Sequence, residues 1–422
     1  MTEAVKTTFK SLGVPNYRRY FAGQVVSLSG NWMQIVAETW LVLKLTSSGL
    51  AVGITACLQF APILVLGAFG GLLADRFPKR RILMLTQAAM ALPALALWGL
   101  AASGAVELWM VFALVLARGT VNALDNPTRQ SFVIEMVGSD RVVNAVGLNS
   151  VLVHTARIAG PAMAGVVIAT WGVAPCFLIN ALTFLAMLFA LRRMEPQELH
   201  AAAVVPRKPG ALREALAYVR RTPELAIPLA LMAAVGTLSF NFQVLLPLLA
   251  RFTFHGGATT YAGLLTAMGV GAVAGALATG ARGRTSPKLL VGSAALMGGL
   301  TLAVAAAPSI PIAAALLVPL GASTVTFAAG VNSGLQLAVD PAMRGRVMAL
   351  YSIVFLGSTP IGGPIAGWLA EAISPRAGLV LGGVAALTAA AVGLAAFRRA
   401  GAEIEWQLPG ARRRSRELAE AR

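Results

Sequence analysis

The chain has 422 residues, of which 57% are hydrophobic and only 12% are charged. A soluble globular protein carries roughly 25% charged residues, so an ordinary water-facing surface is excluded. The formal net charge of +17 would suggest nucleic acid in a soluble protein, but its distribution along this chain indicates a membrane instead.

Apolar segments follow one another along the whole chain, each long enough for a helix that crosses a bilayer, which needs about 20 apolar residues. The pattern predicts an all-α polytopic membrane protein with about twelve transmembrane helices in two six-helix bundles. The segment before the first helix is polar, so we expect no cleaved signal peptide. The predicted helices cover 18–45, 49–73, 82–103, 107–126, 142–170, 173–191, 225–250, 258–281, 286–307, 310–334, 346–373 and 376–397.

The polar connections divide the chain into four predicted parts. Most of the 34 basic residues lie in alternate loops, and the positive-inside rule then places both termini in the cytoplasm of a cell with the protein in its inner (plasma) membrane. The parts are an N-terminal bundle (1–191), a cytoplasmic linker with an amphipathic helix (192–224), a C-terminal bundle (225–398) and a basic cytoplasmic tail (399–422).

The two halves share a spacing that indicates an internal repeat. Arg141 precedes Gly160 by 19 positions, and Arg344 precedes Gly363 by 19 positions, with proline following each glycine. Corresponding Gly/Pro-interrupted helices in two halves are typical of transporters.

The first predicted helix carries a row of polar side chains. Their spacing of three or four residues places them on one helix face. Interhelical hydrogen bonding and substrate contact both remain open for the amides and the serine, whereas we interpret the acid as functional. The row consists of Gln24, Ser27, Asn31, Gln34 and Glu38.

The loop after the second predicted helix combines one acid with a basic run. Asp75 stands beside Arg76 and Arg80, and Gly71 permits close helix packing one turn earlier. A carboxylate at this position can pair with arginines or with a neighbouring helix N-terminus in one conformation and release them in another. We therefore expect Asp75 to act in a gate, while the basic residues alone would fit a membrane anchor.

Charged residues also occur inside the fourth and fifth predicted helices. A charge at the bilayer centre costs about 2.5–3.5 kcal/mol, so such residues are expected to face a cavity or one another. We expect Arg118 and Arg157 to be functional and Arg129 to snorkel to the cytoplasmic surface; His154 is open between function and packing. The rows are Arg118, Asn122, Asp125 and Arg129 on one helix and Ser150, His154 and Arg157 on the next.

The fifth predicted helix also carries small residues at Gly147, Gly160 and Gly165, together with Pro161. Small residues allow close helix approach and proline bends the helix, although both also occur in ordinary membrane packing.

The second half contrasts with the first, because its predicted helices hold almost no ionisable residue. It offers aromatic and amide side chains that suit a bulky amphipathic ligand. They are Phe240, Asn241, Phe242, Gln243, Phe327, Asn332, Tyr351 and Phe355.

These motifs resemble the major facilitator superfamily. Gly71, Leu73, Ala74, Asp75, Arg76, Lys79 and Arg80 match its loop motif after helix 2, with Pro78 in place of the second glycine. The helix-5 glycines and Pro161 resemble the antiporter motif of its exporters. The stretches 16–24, 126–131 and 180–184 are similar to the transmembrane secretion effector branch, which includes enterobactin-exporter-like and macrolide-efflux-like proteins.

The resemblance implies a secondary transporter that exports a small amphipathic compound (a drug, siderophore or secondary metabolite) by proton antiport. Glu38 is the predicted proton-coupling group, held by Arg157 or Arg118. The alternatives are a lipid or lysolipid flippase on the same fold and, less favoured, an intramembrane enzyme. We expect a monomer whose partners are the substrate, protons and membrane lipids, with no nucleic acid, cofactor or metal.

Overall fold

The computed structural model describes residues 10–200, 211–282 and 285–400, so most of the predicted basic tail lies outside the described residues. The described chain is almost entirely helical. Its helices are α1 (Pro15–Thr46), α2 (Gly49–Arg76), α3 (Lys79–Ser103), α4 (Leu108–Val137), α5 (Val142–Trp171), α6 (Ala174–Arg192), α7 (Ala211–Arg221), α8 (Pro223–Ser239), α9 (Phe242–Leu248), α10 (Ala258–Arg282), α11 (Pro287–Ala306), α12 (Ile310–Ala338), α13 (Arg344–Ala372) and α14 (Pro375–Arg399).

The predicted number of spans is confirmed in the described part of the chain. Eleven segments are long and apolar enough to cross a membrane, with α8 and α9 counted in one segment, Pro223–Thr253. The helix α1 has 32 residues and is not among the eleven, because its polar row lowers its hydropathy. Eleven spans and α1 together make twelve.

The chain divides into two compact units. The first unit consists of Met1–Pro206 and Ala250–Thr266, and the second of Arg207–Leu249 and Ala267–Arg422. The boundary at Pro206 falls within the predicted linker.

Close helix packing in the first unit fixes the position of α1. A Cβ atom at Gly23 would lie 2.9 Å from Ala190 Cβ, and one at Gly30 would lie 2.6 Å from the Asn180 side chain. The backbone of α1 therefore approaches α6 directly, and the polar row of α1 lies against neighbouring helices. On α4, a Cβ atom at Gly119 would lie 2.7 Å from the Gln59 carbonyl oxygen of α2.

In the second unit, the linker helix α7 packs on the bundle. Its Ala215 and Val219 are buried, whereas Leu212 and Leu216 are exposed. An ion pair joins Glu214 to Arg346 of α13 at 2.7 Å, and the Tyr218 hydroxyl donates to Asp340 at 2.9 Å. The helix is amphipathic as predicted, and one of its faces contacts α13.

Two helix predictions were wrong. The helix α4 does not end at residue 126 but continues through Pro127 to Val137, because Phe132 and Met136 of its last turns are fully buried in the core. Burial of this kind outweighs the roughly 3 kcal/mol that an internal proline costs.

The predicted helix 225–250 is interrupted at Phe240 and Asn241 and ends in a π-helical turn, Leu249–Thr253. The Asn241 side chain donates to the Thr237 carbonyl oxygen at 2.7 Å, which satisfies one backbone group near the break.

Candidate functional site

An ion pair between two helices lies at the centre of the first unit. The Arg118 side chain of α4 donates to Glu38 Oε2 of α1 at 2.6 Å, and the two residues are 3% and 1% exposed. Arg118 also donates to Asn31 Oδ1 at 3.1 Å. Of the two arginines predicted to hold Glu38, the structure selects Arg118.

The second carboxylate oxygen of Glu38 is also satisfied. Gln34 Nε2 donates to Glu38 Oε1 at 2.7 Å, and Asn180 of α6 donates to Gln34 Oε1. Gln34 and Asn180 are fully buried. The predicted polar face of α1 therefore forms a hydrogen-bonded network that ends on a neutralised carboxylate.

A second ion pair lies on α4 and corrects two predictions. Asp125 is fully buried and near the middle of α4, because this helix continues to Val137, whereas the predicted helix 107–126 placed it at the helix end. Arg129 lies 2.9 Å from Asp125 Oδ2, so it is an ion-pair partner rather than a free snorkelling side chain. Thr86 and Gln87 of α3 donate to Asp125 Oδ1 at 2.7 and 2.9 Å.

The charged and polar groups line a small cleft within the first unit. Asn31 and Arg118 link the cleft to the Glu38 pair, and Asn122 lies one turn along α4. The lining consists of Ser27, Leu28, Asn31, Gln87, Met90, Arg118, Asn122, Asp125, Arg129 and Phe184.

The predicted row on α5 is arranged differently. The Arg157 guanidinium lies over the Trp32 ring, 5.0 Å from its centroid, and does not reach Glu38. His154 is half-buried, and its Nδ1 has no partner in the described part of the chain. Ser150 is exposed and bonds only to the carbonyl oxygen of Val146 on its own helix, at 3.0 Å.

The glycines of α5 also differ from one another. A Cβ atom at Gly160 would meet Trp32 Cβ, and would lie 2.8 Å from the Ser29 carbonyl oxygen; one at Gly165 would lie 2.8 Å from Ala262 Cβ. At Gly147 a Cβ atom would meet nothing within 4 Å, so the expected close approach is absent there. Pro161 lies inside α5, which remains a continuous helix.

The predicted gate is only partly described. The surroundings of Gly71 and the side chain of Asp75 lie outside the described part, and Arg76 is exposed. Arg80 donates to the carbonyl oxygens of Leu191 and Arg192 at 2.7 and 3.0 Å, so it caps the C-terminal end of α6.

Sequence reasoning missed one ion pair at this end of the unit. Lys79 lies 2.5 Å from Glu135 Oε1, and Lys79 is 8% exposed. Glu135 follows the predicted end of α4 at residue 126, so it was placed in a loop. An acid just after a helix end was the signal that could have pointed to this pair. Thr86 and Gln87 were missed as well, although two adjacent polar residues in an apolar span are a visible signal in the sequence.

The second unit holds an aromatic cluster beside the break between α8 and α9. Phe240 makes edge contacts with Phe327 and Phe355, with centroids 6.2 and 6.4 Å apart, and Tyr351 stacks on Phe355 at 5.8 Å. Phe242 and Asn241 are buried, whereas Gln243 and Asn332 are half-buried. The predicted aromatic residues 240, 327, 351 and 355 therefore form one packed cluster within this unit, in which Phe327 is fully buried.

The spans, the two compact units and the buried ion pairs of the first unit are features of a polytopic transporter, and the comparison with known families agrees. Residues 6–416 match the family described as "Transmembrane secretion effector". The chain belongs to this family of major facilitator transporters. It is a multi-pass membrane transporter and not an enzyme.

Relatives of the transporter include named siderophore and macrolide transporters. It is 26% identical to the staphyloferrin A transporter of Staphylococcus aureus over 60% of this chain and 64% of that protein, somewhat less than two thirds of the relative's length. It is 23% identical to macrolide efflux protein A of Streptococcus pyogenes over 86% of this chain and 91% of that protein.

Solved structures confirm the fold. A bacterial homologue of the human lysosomal transporter Spinster, solved in an inward-facing and unoccupied conformation, matches with a TM-score of 0.71 and 15% identity. The match covers 91% of this chain and 97% of that chain.

Proposed function

We propose that this transporter exports a small amphipathic compound (a drug, siderophore or secondary metabolite) from the cytoplasm by proton antiport. It acts by alternating access in the cell inner membrane, as a monomer with both termini cytoplasmic. The observation that carries the proposal is the buried Glu38–Arg118 pair, which joins two helices beside a polar cleft. The names of two relatives, the staphyloferrin A transporter and macrolide efflux protein A, support a small molecule as the exported substrate.

Two buried acids are available, and their partners distinguish them. The partner of Glu38 lies on another helix, so movement of α1 relative to α4 breaks or forms the pair. Asp125 and Arg129 are four residues apart on one helix, and rigid helix movement leaves them together. Glu38 is therefore the better candidate for an acid whose charge balance changes between conformations.

The coupling follows from the chemistry of a carboxylate away from water. While Arg118 is hydrogen-bonded to Glu38, the charged pair is the stable form. When the helices separate, an unpaired carboxylate in an apolar environment takes up a proton, since desolvation disfavours the anion. Binding of the proton on one side of the membrane and release on the other couples it to export.

The second unit supplies the apolar contacts for the substrate. The aromatic cluster around Phe240 lies beside an interrupted helix, and interrupted helices carry substrate sites in transporters built from repeats. Aromatic rings provide large contact areas for an amphipathic molecule.

The proposal is tested in proteoliposomes with an acidic lumen, using radiolabelled erythromycin and dansylglycine as probes. We expect Glu38→Gln to abolish uptake driven by the pH gradient and to retain exchange of external for internal probe, because the amide keeps the shape but does not titrate. Glu107→Gln is the matched control, since Glu107 is exposed at the start of α4 and bonds only Trp109 among described side chains.

Undiminished gradient-driven uptake by Glu38→Gln would contradict proton coupling through this residue. Loss of exchange together with uptake would assign Glu38 to direct substrate contact instead.

A further inference from the structure

We propose that Arg157 and Trp32 form the recognition site for an anionic group, so that the preferred substrate of this transporter is an amphipathic carboxylate. The inference deepens the proposed function and rests on it.

The charged residues inside the helices of the first unit do not balance. The helices α1, α4 and α5 hold three arginines and two carboxylates away from their ends. Arg118 is paired with Glu38, and Arg129 with Asp125. Arg157 makes no ion pair or hydrogen bond with any described residue, and its Nε is buried without a partner. One cation therefore remains uncompensated, and a ligand with one negative charge neutralises it.

Arg157 and Trp32 both lie near the middle of membrane-spanning helices. Arg157 is the sixteenth of the 30 residues of α5, so it lies about 20 Å from either end of the helix at 1.5 Å per residue. Trp32 is likewise near the middle of α1. An uncompensated charge at that depth is costly, and the headgroup of a bilayer lipid lies beyond reach. The depth matches the level at which transporters of this architecture bind substrate.

The packing of α5 on α1 holds the Trp32 ring in position under Arg157. Gly160 of α5 packs against the Cβ of Trp32, one turn from Arg157, and this contact fixes the indole beneath the guanidinium. A guanidinium stacked on a ring directs its N–H groups away from the ring in its own plane, a geometry that matches the two oxygens of a carboxylate. His154, one turn away on the same helix, adds one ring nitrogen, Nδ1, without a described partner.

The experiment measures equilibrium binding to the purified transporter in phosphatidylcholine nanodiscs. The probes are dansylglycine and 1-naphthaleneacetate, each paired with its primary amide, which has the same body but no charge. We expect the wild type to bind each carboxylate about tenfold more tightly than its amide, because hydrogen bonds to charged groups differ from neutral ones by about this factor. Arg157→Gln should equalise the two affinities, and Arg157→Lys should retain part of the preference.

A matched control is Arg251→Gln. Arg251 also lies near aromatic rings, those of Trp40 and Phe252, but at a helix end and bonded to Ser47 at 3.2 Å. Its loss should leave the carboxylate preference intact. Glu38→Gln should also keep the preference while losing gradient-driven uptake, so failure of proton coupling and failure of the anion site give different results.

Three results would overturn the inference. The wild type could bind carboxylate and amide equally, or bind neither. The preference could persist in Arg157→Gln. Addition of phosphatidylglycerol to the nanodiscs could abolish carboxylate binding, which would assign the guanidinium to a lipid phosphate. Should Arg157→Gln fail to fold, the wild-type preference and its reduction in Arg157→Lys still decide the question.

Discussion

The two units of the transporter bury different kinds of side chain. The first unit buries Glu38, Arg118 and Asp125, and each of them has at least one hydrogen bond that crosses between helices. Among the described residues of the second unit, the buried polar side chains include no Asp, Glu, Lys, Arg or His. Among the described residues, buried charge is therefore confined to the first unit, whereas the core of the second unit is apolar or uncharged.

The polar groups of the second unit show the same difference. The hydroxyls of Ser293, Thr301 and Ser323 donate to carbonyl oxygens of their own helices. Ser239 donates to the Gly382 carbonyl oxygen of another helix at 2.6 Å, and elsewhere helices of this unit meet through small residues. A Cβ atom at Gly321 would meet the Met268 carbonyl oxygen, and one at Gly298 would lie 2.8 Å from that of Gly383. Such contacts hold helices together without a network that a proton could rearrange.

The largest expected effect is the loss of one partner of the interhelical pair. Arg118→Gln leaves Glu38 buried without its cation, and breaking a buried pair in this way costs about 3–5 kcal/mol. We expect a marked fall in thermal stability and no gradient-driven transport. The double variant Glu38→Gln/Arg118→Gln should recover stability but not coupling, and an additive loss in the double variant would contradict the pairing.

Close packing on α5 comes next in size. In Gly160→Leu the new side chain meets the backbone of α1 near Ser29 and the Trp32 side chain, and overpacking costs about 1–3 kcal/mol. We expect lower thermal stability and slower transport. Gly147→Leu is the matched control, because that position is open. Equal behaviour of the two variants would refute the difference between the two glycines.

A smaller effect is expected in the second unit. Phe240→Ala removes two edge contacts, each worth about 0.5–1.5 kcal/mol beyond the area buried. Affinity for the probes should fall by about tenfold, while the dependence of transport on the pH gradient stays as in the wild type. Trp368→Ala, at an exposed position of α13, should change neither. A changed pH dependence in Phe240→Ala would break the division of roles between the units.

The smallest effect concerns the linker helix. Tyr218→Phe removes the hydrogen bond to Asp340, worth about 0.5–1.5 kcal/mol. We expect faster proteolysis of the linker and nearly normal transport. Proteolysis at the wild-type rate would show that the hydrogen bond does not hold α7.

The number and type of helices could be predicted from the sequence because apolar length is a local property. The end of α4 could not, since Pro127 signals an end locally and only the burial of Phe132 and Met136 overrides it. The predicted end at residue 126 therefore placed Asp125 at a helix end and Glu135 in a loop, whereas both lie inside α4.

The candidate site could be predicted in part. Helical spacing placed Glu38 and Arg118 on the inner faces of their helices, but it could not choose between Arg118 and Arg157 as the partner. That choice depends on the relative positions of α1, α4 and α5, which follow from contacts between residues far apart in sequence, such as that of Gly160 with Trp32. The break after Phe240 was also missed, because neither glycine nor proline marks it.

The central claim is that Glu38, and not Asp125, exchanges the coupled proton. Infrared difference spectroscopy of the purified transporter over a pH titration observes carboxyl protonation directly. Exposed carboxyl groups contribute bands of their own, so the variants are compared with the wild type. We expect one carboxyl band to be present in the wild type and in Asp125→Asn and absent in Glu38→Gln. A Glu38→Gln spectrum identical to that of the wild type, or loss of this band in Asp125→Asn, would contradict the claim.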